Sequence, residues 1–161
     1  MNKIKLIELI KSGLNKEKNK SKFYGKMKKL CKNERVSQLF EALESWEKTH
    51  VEIVEKIEKK LFDSKEEFQR DISEQEEYIN AILLDYDDIE ELAEKDNCEN
   101  AVFAAMHSEK NAILFFGMVK DMIPDEYKGT IDKILFEEKE HLNYLYRIQQ
   151  EVEKSSGKNE N

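Results

Sequence analysis

Two pairs of residues have the type and spacing to bind metal: Glu47 with His50, and Glu138 with His141, each a glutamate three residues before a histidine. On a helix, residues three apart share a face, so each pair offers a carboxylate and an imidazole to one point. One such pair is half a metal site. With 26 glutamates in 161 residues, a glutamate three before each of two given histidines arises by chance roughly once in 40. Spacing alone is therefore moderate support, and the register of the surrounding apolar residues has to decide.

Four segments carry apolar residues in alternating steps of three and four, the seam of a helix packed inside a bundle. The second is the clearest: Val36, Phe40, Leu43, Glu47, His50, Val54, Ile57 and Leu61. The fourth runs Ile131, Ile134, Glu138, His141, Leu145, Ile148 and Val152, so the same two residue types interrupt it. The third runs Val102, Ala105, Glu109, Ala112, Phe116, Val119 and Ile123, with Glu109 as its one charged seam residue. In the first, the best frame is Leu6, Ile10, Gly13, Glu17, Lys20, Tyr24, Met27 and Cys31, with Ser21 able to replace Lys20. Glu17 keeps its place in either version.

Short joins at Lys32 to Arg35 and around Pro124 make two antiparallel helical hairpins. The connection between them, about residues 63–97, is long enough to cross the length of a bundle, and short helices are expected near 74–83 and 87–95. The spacing Glu17 to Glu47 is 30 and Glu109 to Glu138 is 29, with Tyr24 and Phe116 each seven after the first glutamate. Such spacing suggests one hairpin used twice. The predicted fold is all-α, a four-helix bundle over residues 1–154, with a frayed polar tail at 155–161.

Four buried carboxylates repel one another, and an unpaired one costs several kcal/mol, at least roughly. Two divalent ions supply four positive charges that balance them. Glu17, Glu47, His50, Glu109, Glu138 and His141 match a di-metal ligand set made of one Glu from each of two helices and Glu-x-x-His from each of the others. A glutamate-rich bundle whose histidines are satisfied by buried hydrogen bonds is the structural alternative. Mixed carboxylate and imidazole ligation with open positions favours iron, with manganese as the other candidate.

The strings EKNKSKFY at 17–24, LFEALESWEKTH at 39–50, SEKNAILFF at 108–116 and EEKEH at 137–141 resemble the helix motifs of the rubrerythrin-like branch of the ferritin-like superfamily, over about Ile4 to Val152. The resemblance implies that Glu47 and Glu138 bridge two metal ions, that Glu17 and Glu109 are terminal ligands, and that His50 and His141 bind one ion each. It also implies Tyr24 beside the cluster. Two departures from the family pattern stand out. The Cys-x-x-Cys pairs of a rubredoxin domain are absent, so an external electron donor is implied, and position 112 is Ala where the type members carry a further Glu.

Smaller features keep two readings each. Tyr24 is a core aromatic or a hydrogen-bond donor to a ligand carboxylate, and Glu137 is exposed or an acceptor that orients His50. His107 lies off the seam and is expected at the surface, and Trp46 is expected in interface or core packing. Cys31 and Cys98 are expected as reduced core residues.

Net charge is −8, which argues against a nucleic-acid partner, and no stretch reaches the roughly 20 apolar residues of a membrane span. Residues 1–32 nevertheless carry eleven Lys against two Glu. They form either a basic helix on acidic neighbours or a docking face for an acidic partner. The expected protein is cytoplasmic, homodimeric and di-iron, reducing peroxide or dioxygen. The alternatives are a ferroxidase or iron-handling protein, or a non-catalytic iron-binding helical module.

Overall fold

The computed structural model describes residues 2–65, 73–86 and 98–159, which form five helices: α1 (Asn2–Leu30), α2 (Glu34–Asp63), α3 (Ser73–Tyr86), α4 (Cys98–Met122) and α5 (Asp125–Asn159). Among the described residues there is no strand, and no helix is long and apolar enough to cross a membrane. The helix expected near 74–83 lies within α3. The one expected near 87–95 falls outside the described residues, and α5 continues to Asn159, into the stretch expected to fray.

Local chemistry sets the breaks between helices. Asn33 caps α2, its side chain accepting from the backbone N–H groups of Arg35 at 3.0 Å and Val36 at 3.2 Å. Pro124, lacking a backbone N–H, separates α4 from α5, and its carbonyl accepts from the Tyr127 N–H at 3.0 Å. The resulting hairpins, α1 with α2 and α4 with α5, make the largest helix contacts, while α3 lies against α4 and α1. This is the ferritin-like bundle that the four seams predict.

The buried stripe of α2 is Val36, Phe40, Leu43, Glu47, His50, Val54, Ile57 and Leu61, residue for residue the predicted seam. Helix α4 is buried much more broadly. Ala101, Ala104, Met106, Ser108, Asn111, Phe115 and Met122 join its seam residues inside, on a helix that meets α1, α3 and α5. On α1, both Lys20 and Ser21 are buried. Gly13, one turn before Glu17, allows a close approach to α4, since a methyl group there would collide with the Phe115 ring.

The apolar core is in two parts. One unites Leu6 to Leu14 of α1, Val54 to Leu61 of α2, Ala112 to Met122 of α4, and Ile131 and Ile134 of α5. The other unites Phe23 to Met27, Val36 to Leu43, Ala101 to Met106, and Leu145. Between them, at mid-bundle, lie Glu17, Lys20, Glu47, His50, Glu109, Glu138 and His141, all buried. Apolar layers above and below keep water from this belt and strengthen every charge interaction within it.

The basic first helix rests on acidic neighbours. Lys11, Lys18 and Lys28 pair with Glu58, Glu55 and Glu44 of α2 at 3.7, 3.2 and 2.8 Å, and Lys5 pairs with Glu76 of α3 at 2.9 Å. Such partly exposed pairs orient helices more than they stabilise them.

The expectation of two reduced cysteines is corrected. Cys31, just past α1, and Cys98, which opens α4, form a disulfide with Cα atoms 5.4 Å apart, tying the first hairpin to the second across 67 positions. Closing a loop of that length restricts the unfolded chain and contributes roughly 4 kcal/mol in the chain-entropy picture. Reduction, or Cys31→Ser with Cys98→Ser, should therefore lower the melting temperature by about 10 °C. Thiol titration of the denatured, unreduced protein should find no free cysteine. Two free thiols in well-folded protein, melting as before, would count against the bond.

Candidate metal centre

Each of the four bundle helices delivers its residues to the belt by ordinary helical register. Glu17 comes from α1, Glu47 and His50 from α2, Glu109 from α4, and Glu138 and His141 from α5. Two sets of ligand-type atoms result, each with all four atoms within 4.8 Å of one another: Glu17, Glu47, His50 and Glu138 in one, Glu47, Glu109, Glu138 and His141 in the other. Glu47 and Glu138 belong to both. The belt thus has an approximate two-fold arrangement that exchanges Glu17 with Glu109, Glu47 with Glu138 and His50 with His141, as the repeated hairpin spacing suggests.

Both imidazoles turn Nδ1 inward. His50 Nδ1 is 2.6 Å from Glu138 Oε1 and 3.5 Å from Glu47 Oε2, and His141 Nδ1 is 3.0 Å from Glu47 Oε1 and 3.5 Å from Glu138 Oε1. Lys20 lies among the acids. Its Nζ is 2.7 Å from Glu138 Oε2, 3.0 Å from Glu17 Oε1, 3.3 Å from Glu47 Oε2 and 3.5 Å from Glu109 Oε2.

This crowding shifts the ionisation of most of the belt. Burial, then the charges of Glu138 and Glu17, push the Glu47 carboxyl well up; burial and Glu138 raise Glu109. Burial would raise Glu138 too, but Lys20 and hydrogen bonds from Glu109, His141 and His50 override it and hold this carboxyl well below the usual range. For the imidazoles, burial works against protonation. Glu138 and Glu137 overcome it at His50, pushed up to about 9, and Glu109, Glu138 and Glu47 overcome it at His141, pushed up to about 11.

Around the belt the two halves differ. Tyr24 donates its hydroxyl proton to Glu109 Oε1 at 2.6 Å, whereas its counterpart Phe116 carries no hydroxyl. Glu137 Oε2 is 2.6 Å from His50 Nε2. The residue at the matching position before Glu47 is Trp46, which stacks on His141 with ring centres 5.1 Å apart and planes 11° apart, and Tyr144 stacks on Trp46 in turn. A surface cavity of about 320 Å³ between α2 and α5, lined by Trp46, Thr49, Glu137, Glu140, His141 and Tyr144, reaches the belt at His141. His107 is exposed and takes no part in either atom set.

The donor set suits a metal. Both oxygens of Glu17, Glu47 Oε2, Glu138 Oε1 and His50 Nδ1 are buried without an aligned hydrogen bond, although Glu17 Oε1 and Glu47 Oε2 lie against Lys20 and His50 Nδ1 against Glu138 Oε1. Hard carboxylate oxygens and imidazole nitrogens aimed at common points are what a divalent ion satisfies. Sequence reasoning missed the role of Lys20. It stands on the α1 seam, but a lysine there signals nothing until acids from three other helices, besides Glu17 of its own, are known to converge on it. Trp46 was expected in packing; what it packs on is His141, and adjacency to Glu47 was the available signal.

Comparison with known proteins adds the family. No curated protein and no solved structure matches the chain. The rubrerythrin family model matches residues 8–149, a span that takes in most of each of the four bundle helices and every member of the belt. With the helical bundle and the buried carboxylate and histidine layer already in place, that match establishes that the chain belongs to the rubrerythrin family.

Proposed function

We propose that the chain is a di-iron protein that reduces peroxide or dioxygen with electrons from an external donor. The observation behind this reading is that two four-atom sets share Glu47 and Glu138 and differ in their other members. Shared carboxylates suit a bridged pair of ions, with Glu17 and His50 completing one position and Glu109 and His141 the other. An iron pair held there would supply two electrons to one oxidant molecule, as cleavage of a peroxide bond requires.

The surrounding residues support that role. Glu137, by accepting from His50 Nε2, fixes the tautomer that leaves Nδ1 free to ligate. Tyr24 holds Glu109 Oε1 in place. The cavity beside His141 is large enough for peroxide or dioxygen to approach, while the two apolar cores keep bulk water from the other sides.

Protein loaded anaerobically with ferrous iron should hold two irons per chain and change its visible absorbance within seconds of adding one equivalent of peroxide. Repeated turnover with a reduced electron donor is the expected behaviour. Uptake of many irons per chain would instead favour an iron-handling protein, and no spectral change at two irons per chain would sink both readings.

A further inference from the structure

Lys20 is the one lysine in the belt, and nothing in the proposed reaction uses it. It is 1% exposed, yet the ammonium touches a carboxylate from each of the four helices: Glu17, Glu47, Glu109 and Glu138. Glu17 and Glu109 belong to different atom sets, so Nζ stands between the two rather than within either. It also breaks the two-fold arrangement. Lys20 is three after Glu17, and the residue three after Glu109 is Ala112, a methyl group in the core.

Burying a lysine is costly unless opposite charges surround it, and four carboxylates left with only the two imidazoles to balance them would still repel one another. The contact geometry answers both problems at once. It also creates a conflict, because an ammonium 2.7 Å from Glu138 Oε2 and 3.3 Å from Glu47 Oε2 occupies lone pairs on the very carboxylates that both atom sets share. A positive charge at that point also repels an incoming divalent ion.

We propose that Lys20 is a built-in counter-ion of the cluster, holding the four carboxylates together when metal is absent and competing with metal for the same oxygens. The chain is then folded and assembled before loading, and it holds metal less tightly than the six ligands alone would. The competition rests on the metal reading of the site; the counter-ion role does not.

Lys20→Met keeps the length and most of the volume of the side chain and removes its charge. Two measurements on the full chain test the idea: melting of the metal-free protein, and anaerobic equilibrium dialysis against ferrous iron. The metal-free variant should melt about 10 °C lower. Adding Glu17→Gln, which removes one negative charge, should recover at least half of that loss. Lys20→Met should also bind ferrous iron at least about 10-fold more tightly than the unaltered chain.

A metal-free variant as stable as the unaltered chain would overturn the counter-ion role, and unchanged iron affinity would overturn the competition. If Lys20→Met does not fold without metal, rescue by Glu17→Gln or by ferrous iron supports the proposal, and failure of both rescues overturns it. Should neither chain bind iron, the competition falls together with the metal reading, while the melting comparison still decides the counter-ion role.

Discussion

Glu47→Gln combined with Glu138→Gln is expected to abolish tight iron binding while leaving the bundle folded. These are the two carboxylates common to both atom sets, so their loss strips each position of half its members. Loss of a mere outer partner costs a metal site 10–100-fold, and removing two direct carboxylates should exceed about 1,000-fold. The glutamines preserve side-chain volume, so no cavity opens in the core, and the repulsion among carboxylates that adds to burial in raising Glu47 and Glu109 is relieved. In the unaltered chain, iron at a thousand times its dissociation constant contributes about 4 kcal/mol, a rise of about 10 °C in melting temperature for a chain of this size. The double variant should show less than about 1 °C. Metal content after desalting and the melting shift on adding ferrous iron are the two readouts. A variant that keeps two irons, or keeps the shift, would show that the belt is not the binding site.

What could be read in the sequence follows from how many faces each helix buries. Helix α2 packs through one stripe, so its period of three and four identified every buried residue, Glu47 and His50 included. Helix α4 packs through more than one face, and no single seam describes it; Ser108, Asn111 and Phe115 are inside as well, on a helix that meets α1 and α3 besides its hairpin partner α5. The acids were legible because a charge on an apolar seam conflicts with the local pattern, and such conflicts mark sites. Lys20 produced the same conflict on α1 and was harder to interpret, since its partners come from α2, α4 and α5 as well as from its own helix. The Cys31–Cys98 bond had no local signature at all. Pairing over 67 positions depends on how the crossover returns the chain, which periodicity does not encode.

The differences between the two halves are chemical ones laid on nearly equivalent backbones. On one side His50 meets the Glu137 carboxylate; on the other, His141 meets the face of Trp46 and the cavity. A carboxylate behind an imidazole increases its basicity as a ligand, whereas an indole face does not accept its proton in the same way. Two sets of ligand atoms built from the same two residue types, Glu and His, are therefore unequal, and the one holding His141 lies nearer the cavity.

The metal-free protein should become less stable as pH rises from 7 to 10, and metal binding should release protons. Both effects come from the histidines, with the raised Glu47 and Glu109 carboxyls adding in the same direction. Their unfolded value is 6.5, and in the fold His50 is pushed up to about 9 and His141 to about 11 by the carboxylates around them. A group whose folded value is raised stabilises the fold fully below its unfolded value, and the contribution disappears as pH climbs through the folded value. For His50 the difference corresponds to roughly 3 kcal/mol at 1.36 kcal/mol per unit, fading first, between pH 6.5 and 9. His141 keeps its contribution to higher pH. Because a metal ion needs neutral imidazoles, loading at pH 7 must expel both protons, and affinity should rise about 100-fold per pH unit between 6.5 and 8.5. Melting curves of chelator-treated protein across this range, together with proton release measured in weakly buffered solution, test the argument. Metal-free stability that is flat or rising from pH 7 to 10, or fewer than one proton released per chain, would show that the imidazoles are already neutral in the cluster.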